Sequence, residues 1–251
     1  MDLKDKIAII TGAGLGFGEG IAALFAEHGA AVVVADIHEA NGQRVVSALE
    51  KVGARAHFVR ADVTIGADVA RLIGEAVSHF GRLDILVNNA GTTHVRQPML
   101  EVDEATFDRV YAVNVKSIYH GAIHAVPQFR KQGGGVILNI ASTAGVRPRP
   151  GLTWYNGSKS AAIGLTRSMA IELAPDRIRV NAINPVAGDT PLLAAFMGSD
   201  TAENRKKFVE TIPLGRLSKP RDIAEAAVYL CSERASLVTG VCMEVDGGRC
   251  I

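Results

Sequence analysis

Short apolar runs alternate along the chain with longer segments in which apolar residues recur at helical spacing. Runs such as 31–34 and 85–87 are almost continuously apolar, which is typical of strands covered on both faces. We predict strands near residues 6–11, 31–36, 55–60, 83–88, 135–141, 178–183 and 241–245. Helices are expected to fill the intervals. This alternation predicts an α/β fold, in which seven parallel strands form a doubly wound sheet with helices on both faces.

No linker interrupts this alternation, so residues 1–251 are predicted to form one domain. The longest stretch without a clear pattern runs from 186 to 214, and we predict that it is irregular and serves as a substrate lid. In a doubly wound sheet, ligands bind at the edge formed by the carboxyl ends of the strands. Gly12, Asp36, Asn88 and Ser142 are expected to meet at that edge.

The first predicted strand runs directly into a glycine-rich turn, residues 12–18, which precedes an amphipathic segment, residues 19–28. Glycines permit a tight turn and a close approach of the backbone to a pyrophosphate, and a helix N-terminus offers unpaired N–H groups. Such a turn alone is weak evidence, but its position between strand and helix indicates a dinucleotide site of the Rossmann type. Asp36 ends the next strand, where an acidic side chain would hold the adenosine ribose.

Tyr155 and Lys159 are four residues apart and would share one face of a helix. At about 5 Å and an effective dielectric constant of about 20, the ammonium would favour the phenolate by roughly 3 kcal/mol, or about two pKa units. A phenol of that kind exchanges protons near neutral pH. The pair recurs by chance in many helices, so its meaning depends on the rest of the chain.

Taken in order, these motifs resemble those of the short-chain dehydrogenase/reductase family, in its single-domain form, along nearly the whole chain. The matching segments are the glycine turn after Thr11, the Asn88-Asn89-Ala90-Gly91 run, Asn114, Ser142 placed thirteen residues before Tyr155, and the Val245-Asp246-Gly247-Gly248 ending. The resemblance implies catalytic roles for four residues. They are Asn114, Ser142, Tyr155 and Lys159.

The same resemblance implies a nicotinamide dinucleotide cofactor, with Asp62 at the adenine ring and Thr190 near the nicotinamide. The implied cofactor contacts are Gly12, Leu15, Gly16, Phe17, Gly18, Asp36, Asp62, Val63, Asn89, Ala90, Gly91, Tyr155, Lys159, Pro185 and Thr190. The family usually continues the late motif with Pro-Gly, whereas this chain has Pro185-Val186. A side chain at position 186 would narrow the space over the nicotinamide.

Hydride transfer to a ketone requires a proton donor, and the resemblance assigns this role to Tyr155, which acts as base in the reverse direction. Lys159 would lower the pKa of Tyr155 and bind the nicotinamide ribose, Ser142 would position the substrate oxygen, and Asn114 would anchor a water path from Lys159. NAD(H) is predicted over NADP(H), because Asp36 would repel a 2′-phosphate. We expect no compensating Lys or Arg nearby.

The substrate is predicted only as a class, a secondary alcohol or ketone with an uncharged body. Residues 192, 193, 196, 197 and 208 give the expected lid an apolar lining. The candidate substrate contacts are His94, Ser142, Trp154, Val186 and Phe196. Arg147 and Arg149 would either be solvated or receive a carboxylate or an acyl-carrier phosphate. A 3-oxoacyl thioester reductase, a sugar or polyol 1-dehydrogenase and a non-catalytic dinucleotide sensor stay open as alternatives.

Charge and composition limit the classes of molecule that the protein is expected to bind. With 27 Lys and Arg against 26 Asp and Glu, the chain has no electrostatic reason to bind nucleic acid or an anionic membrane. The seven histidines lack the spacing of a metal site, so no metal is predicted. Three cysteines without a CxxC pair and the absence of an apolar run of spanning length favour a cytoplasmic protein. The family resemblance implies a homotetramer, and the apolar ending at Ile251 is expected to pack against a neighbouring subunit.

Overall fold

The computed structural model describes residues 1–190, 192–199 and 201–251. Its centre is a parallel sheet of seven strands in the spatial order β3-β2-β1-β4-β5-β6-β7. The strands are β1 Ile7–Thr11, β2 Ala31–Asp36, β3 Ala56–Arg60, β4 Ile85–Asn88, β5 Gly135–Ile140, β6 Ile178–Pro185 and β7 Cys242–Val245. The predicted doubly wound sheet is confirmed, and every predicted strand is present with ends shifted by at most two residues. The order reverses between β1 and β4, which is where a ligand crevice forms in such sheets.

Helices cover both faces of the sheet. They are α1 Gly16–Glu27, α2 Glu39–Lys51, α3 Gly66–Phe80, α4 Glu104–Tyr111, α5 Ser117–Gln132, α6 Thr153–Leu173, α7 Leu193–Met197, α8 Ala202–Val209 and α9 Pro220–Cys231. Apolar side chains of α1, α2 and α9 form the core on one face. Those of α3, α5 and α6 form the core on the other. None of the helices in the described ranges combines the length and apolarity needed to cross a bilayer.

Alternate residues of each strand contribute to opposite cores, which explains the continuous apolar runs. Ile10 and Val34 pack into the core beneath α1, while Ile9 and Val33 pack into the core beneath α3. All four side chains are fully buried. A strand buried on both faces needs apolar residues at every position, and that is the signal that the sequence carries.

A chain of buried amides connects the central strands to α6. The Asn88 Nδ2 donates to the Asn139 Oδ1 at 2.9 Å, and the Asn139 Nδ2 donates to the Thr166 Oγ1 at 2.9 Å. These bonds satisfy polar groups that would otherwise be costly to bury. They also fix α6, which carries Tyr155, relative to the ends of β4 and β5.

The expectation of an irregular segment at 186–214 is wrong, because this segment contains α7 and α8. Its apolar side chains form a small core of their own, made of Val186, Leu193, Met197, Phe208 and Ile212. The Thr201 hydroxyl caps α8 by accepting from the Asn204 N–H at 3.2 Å. Burial of apolar faces at helical spacing stabilises two helices too short to form alone. A lid role for this segment stays a prediction.

Candidate active site

A cavity of about 510 Å³ lies at the carboxyl edge of the sheet and runs across the point where the strand order reverses. Residues that follow β1, β2, β4, β5 and β6 line it. The predicted site residues found in its wall are Gly12, Leu15, Gly16, Phe17, Asp36, Asp62, Val63, Asn89, Ala90, Gly91, Ser142, Tyr155, Lys159, Pro185, Val186, Thr190 and Phe196. The sheet thus brings distant segments of the sequence into one crevice.

The glycine turn adopts a backbone that requires glycine at two places. Gly12 has φ +62° and Gly16 has φ +60°, in the left-handed region that other residues rarely adopt. Gly18 does not line the cavity but allows close packing beneath it, because a Cβ there would lie 2.3 Å from the Gly12 carbonyl oxygen. The turn and the first turn of α1 therefore pack against each other with no room for a side chain.

Thr11 and Asn89 hold this turn against the end of β4. The Thr11 Oγ1 accepts from the N–H groups of Asn89 and Ala90 at 3.0 and 3.1 Å. In return the Asn89 Nδ2 donates to the carbonyls of Thr11 and Gly12 at 2.7 and 3.1 Å. This reciprocal set fixes the two strand ends that face the centre of the cavity.

Asp36 lies at one end of the cavity and faces the glycine turn. Its Oδ2 accepts from the Gly14 N–H at 2.8 Å, and its Oδ1 accepts from the His38 N–H at 2.9 Å. The expectation of no cation nearby is wrong, because Arg44 donates to the Gly14 carbonyl at 2.9 Å. However, Glu19 binds the same guanidinium through two bonds of 2.7 and 2.8 Å. This ion pair joins α1 to α2, so it depends on tertiary packing, and no sequence motif predicts it.

Asp62 and Val63 also line this end of the cavity. The Asp62 Oδ1 accepts from the N–H and the hydroxyl of Thr64 at 2.8 and 2.7 Å. The Asp62 N–H itself donates to the Asp68 carboxylate at 2.9 Å. The loop after β3 is therefore held by its own side chains, and it presents a polar edge to the cavity.

Tyr155 lies in the first turn of α6 and is buried beside Ser142. Burial raises the pKa of Tyr155 to about 12, whereas a hydrogen bond with the Ser142 side chain lowers it. The Ser142 Oγ also accepts from the Ala144 N–H at 3.1 Å, which fixes the hydroxyl in the wall of the cavity. Phenol and hydroxyl therefore converge on one point.

Lys159 is buried one turn further along α6, and its Nζ donates to the Ile140 carbonyl at 2.8 Å. Burial lowers the pKa of Lys159 to about 8. The attraction between ammonium and phenolate predicts a lowered Tyr155 pKa, but that pKa is raised. Desolvation is the largest effect on both groups and favours their neutral forms.

Asn114 lies outside the cavity wall, within a π-helical segment, Ala112–Lys116, that joins α4 to α5. Its Oδ1 accepts from the Thr92 N–H, and its Nδ2 donates to the Thr92 carbonyl, each at 2.9 Å. The Nδ2 also donates to the Ser158 Oγ at 2.9 Å. Asn114 therefore connects the loop after β4 to α6. A water path from Lys159 through Asn114 stays a prediction.

The segment after β6 closes the cavity above the glycine turn. A Cβ added to Gly16 would lie 3.4 Å from the Thr190 Cγ2, so Thr190 lies against the turn. The departure at Val186 is accommodated, because its N–H donates to the Val245 carbonyl at 3.3 Å. Its side chain is 3% exposed and packs in the core of the 186–214 segment. Val186 still contributes to the cavity wall beside Pro185.

The cavity wall does not include His94 or Trp154, so their contact with substrate stays a prediction. Successive helix positions differ by about 100°, so Trp154 faces a different side of α6 from Tyr155. The Trp154 Nε1 donates to the Met99 carbonyl at 3.2 Å, and its ring packs edge-on against Phe107. His94 is buried, with its Nδ1 2.9 Å from the Val95 carbonyl oxygen.

The far end of the cavity combines aromatic and basic side chains. The Phe196 ring lies 5.1 Å from the Tyr155 ring, and Phe208 forms part of the same wall. Arg147 and Arg149 line the cavity as well, together with Arg249, which is not among the predicted site residues. Arg249 lies about 100 residues from the others, and no local signal places it there. Over the described ranges, no group of three or more His, Cys, Asp or Glu side chains is arranged to hold a metal ion.

Comparison with known proteins gives matches over almost the entire chain. A family model described as enoyl-(acyl carrier protein) reductase matches residues 12–249. The 4-formylbenzenesulfonate dehydrogenase of Comamonas testosteroni is 50% identical over 250 residues, covering 99% of each chain. A crystal structure of 3-ketoacyl-(acyl-carrier-protein) reductase from Brucella melitensis complexed with NADH has a TM-score of 0.94 and 49% identity, covering 99% of this chain and 100% of that one.

A second solved structure is 7α-hydroxysteroid dehydrogenase complexed with NADH and 7-oxo glycochenodeoxycholic acid. It matches with a TM-score of 0.92 and 42% identity, covering 98% of this chain and 94% of its own. Sequence and fold thus agree with the motifs at the glycine turn, Ser142, Tyr155 and Lys159. Given this agreement along its whole length, the chain belongs to the short-chain dehydrogenase/reductase family of oxidoreductases.

Proposed function

We propose that the protein is an NAD(H)-dependent dehydrogenase that interconverts a secondary alcohol and its ketone. One observation carries the proposal: Ser142, Tyr155 and Lys159 line the same cavity as the glycine turn and Asp36. A proton donor and a dinucleotide site are the two parts that such a reaction requires. A sensor that only binds a dinucleotide has no need of the buried phenol.

The residues at the glycine turn fit a dinucleotide. Leu15, the residue before α1, has no side-chain oxygen to cap the helix, so no side-chain cap competes for the first N–H groups. Those groups would bind the pyrophosphate, and Asp36 would bind the adenosine ribose. When bound, the nicotinamide supplies or accepts the hydride. Asp62 and Thr190 are the proposed contacts at the adenine and nicotinamide ends.

The protein's own part of the reaction is proton transfer at the substrate oxygen. In ketone reduction, the Tyr155 hydroxyl would donate its proton to the oxygen as charge develops there. The Ser142 hydroxyl would donate a hydrogen bond to the same oxygen and hold the carbonyl in place. The Lys159 Nζ, held by the Ile140 carbonyl, would place a cation next to the phenol and favour the phenolate during oxidation.

The cofactor preference for NAD(H) rests on Asp36 and on the pairing of Arg44 with Glu19. A 2′-phosphate about 4 Å from the Asp36 carboxylate would meet a repulsion of roughly 4 kcal/mol per unit charge before solvent screening. The Arg44 guanidinium, which donates to the Gly14 carbonyl, already binds Glu19 twice. Screening reduces the repulsion, and we expect at least about a tenfold preference for NADH.

The test is a steady-state assay of a panel of ketones with NADH and NADPH. We expect turnover, with kcat/KM higher for NADH by at least about tenfold. Asp36→Ala should weaken NADH binding and lower the ratio of kcat/KM for NADH to that for NADPH. Asp176→Ala, at an exposed ion pair with Arg130, should leave this ratio unchanged. Equal or higher efficiency with NADPH contradicts the cofactor assignment. No turnover of any ketone, together with tight NADH binding, would instead favour the sensor.

A second candidate function is reduction of a 3-oxoacyl thioester. It is favoured by the 49% identity and the close fold match to the reductase from Brucella melitensis. The proton chemistry would be the same, so the two candidates differ only in the body of the substrate. Adding a 3-oxoacyl thioester and a sugar to the panel separates them, since the highest kcat/KM identifies the class. A sugar or polyol as the best substrate would contradict the second candidate and the expected apolar substrate body.

We further propose a homotetramer in the cytoplasm. The three cysteines, Cys231, Cys242 and Cys250, are all free thiols, as a reducing compartment would keep them. Support for assembly comes from exposed apolar side chains on the two longest helices, Tyr119 and Ile123 on α5 and Ile171 on α6.

A further inference from the structure

The basic end of the cavity is unusual in its charge balance. Among the described residues of the cavity wall, the acids are Asp36 and Asp62, and both lie at the end proposed for adenosine. Arg147, Arg149 and Arg249 line the opposite end, beyond Tyr155. The wall therefore separates its charges, with positive charge where the substrate body would lie.

Arg149 is the most confined of the three. Its guanidinium stacks over the Phe208 ring, 4.1 Å from the centroid, and the residue is partly buried. Its backbone is fixed to the helix that carries Tyr155, because the Asn156 Nδ2 donates to the Arg149 carbonyl at 2.9 Å. Asn156 directly follows Tyr155, so the Arg149 backbone is held in a set position relative to the proton donor.

Among the described residues, no acid pairs with this guanidinium. Within residues 1–190, 192–199 and 201–251, no hydrogen bond or ion pair reaches the Arg149 side chain, whose guanidinium contacts the Phe208 ring. Burial lowers the pKa of Arg149 to about 10, and the neighbouring charges of Arg249 and Arg96 lower it as well. The side chain is still protonated at neutral pH. A confined cation surrounded by other cations is costly until an anion compensates it.

Apolar side chains separate Arg149 from the reacting end. Phe196, whose ring lies 5.1 Å from that of Tyr155, and Phe208, which stacks on Arg149, belong to the same cavity wall. A ligand that spans the two ends would place its oxygen at Tyr155 and Ser142, an apolar body along the phenyl rings, and an anionic group at the guanidinium. Guanidinium binds planar carboxylates and tetrahedral oxyanions by paired N–H donors.

We propose that Arg149 is a specificity-determining residue that selects substrates carrying a carboxylate or sulfonate at the far end of a compact apolar body. Arg147 and Arg249 reinforce the positive potential there. The Arg147 Nη1 donates to the Arg249 carbonyl at 2.5 Å, which ties the two segments together at the cavity mouth. The inference rests on the proposed function, since it assumes that the reacting oxygen is at Tyr155.

Calorimetry tests this directly, with the protein saturated with NAD⁺ so that no turnover occurs. The probes are 4-acetylbenzoate, its neutral methyl ester, and 4-acetylbenzenesulfonate. We expect the wild-type protein to bind at least one of the two anions about 10 to 100-fold more tightly than the ester, the usual scale for a charged hydrogen bond. A comparison of the two anions identifies the preferred oxyanion geometry.

Arg149→Gln removes the charge while keeping a side chain that packs on Phe208. We expect it to reduce the preference for the anion to within about threefold of the ester, with ester binding unchanged. Arg149→Lys should restore part of the preference, because it restores the charge without the paired donors. Arg55→Gln removes the same charge from an exposed position outside the cavity and should leave all three affinities unchanged.

Equal wild-type affinity for anions and ester would overturn the proposal, as would an unchanged preference in Arg149→Gln. Because calorimetry reports binding alone, this result is independent of the proposed reaction. Kinetics then separates the two ideas. If Arg149→Gln reduces the neutral ester normally and loses the preference for anions, both the selectivity role of Arg149 and the dehydrogenase function are supported. If the wild-type protein binds anions selectively but reduces no ketone, the role of Arg149 is supported and the dehydrogenase function is contradicted.

Discussion

At the residue scale, burial favours the neutral form of both Tyr155 and Lys159. It raises the pKa of the phenol to about 12 and lowers the pKa of the ammonium to about 8. The phenol is therefore a stable proton donor for ketone reduction at neutral pH. Oxidation of an alcohol needs the phenolate instead, so it depends on every neighbour that stabilises negative charge. Ser142 and Lys159 are the two candidates that the cavity supplies.

Ser142→Ala should move the alkaline rise of kcat/KM for alcohol oxidation to higher pH. The Ser142 hydrogen bond lowers the Tyr155 pKa, so its loss raises that pKa further. A loss of about a hundredfold in kcat is expected at neutral pH, since a hydrogen bond to the reacting oxygen disappears as well. The pH profiles of the variant and wild type give the answer, with Ser168→Ala, exposed on α6, as control. A lower kcat with an unmoved profile would mean that Ser142 does not act on the phenol.

Lys159→Met should stabilise the folded protein at pH 7, by up to about 3 kcal/mol. The pKa of Lys159 is lowered from 10.5 to about 8 in the folded state. Between these values the unfolded chain binds more protons, so wild-type stability rises with pH and the penalty for burying the ammonium fades. Loss of the bond to Ile140 offsets part of the gain.

Urea unfolding at pH 7 and at about pH 9.5 measures this effect. The advantage of Lys159→Met over wild type should shrink at the higher pH, while exposed Lys51→Met should show no such trend. A difference in stability that is the same at both pH values would show that the buried amine is not titrating as proposed.

At the element scale, strand ends and the glycine turn were predictable because each has a local signal. Gly12, Asp36, Asn89 and Ser142 all follow apolar strands, and parallel strands bring such positions to one edge. The helices α7 and α8 were not predictable, since both are short and are stabilised by packing in the 186–214 segment. The pairing of Arg44 with Glu19 has no local pattern either, because it depends on how α1 and α2 cross.

Gly18→Ala tests the close packing of α1 on the glycine turn. The new Cβ would lie 2.3 Å from the Gly12 carbonyl oxygen and 2.4 Å from the Asn89 Nδ2, so the backbone must shift. We expect a loss of about 1–3 kcal/mol in the free energy of unfolding and weaker NADH binding. Gly74→Ala is the matched control, since it is exposed in α3 with nothing within 4 Å. It should raise stability by up to about 1 kcal/mol; equal effects of the two variants would contradict this account.

At the scale of the whole molecule, the site is assembled from segments far apart in the sequence. Residues 12, 36, 142, 155 and 249 line one cavity, and the sheet order alone brings the first three together. The position of Arg249 in the cavity wall and the direction in which Trp154 faces could be seen only in the complete fold. Substrate selectivity, which depends on such contacts, was therefore the least predictable property.

Light scattering at micromolar concentration should give a mass near four times the 26.5 kDa of one chain. The exposed apolar side chains of α5 and α6 are the expected contact surface, because such side chains pack between subunits in assemblies. Ile123→Glu should lower the mass, while Val52→Glu, equally apolar and exposed at the end of α2, should not. A wild-type mass near that of one chain contradicts the tetramer.

The central claim is that Tyr155 is the proton donor, and Tyr155→Phe tests it most directly. We predict a fall of at least about a hundredfold in kcat with NADH affinity nearly unchanged. Energy transfer from Trp154, the only tryptophan, to bound NADH measures that affinity separately from turnover. Tyr229→Phe, on α9 and outside the cavity wall, should retain wild-type kcat. Near-normal ketone reduction by Tyr155→Phe would contradict the account, because another group would then be supplying the proton.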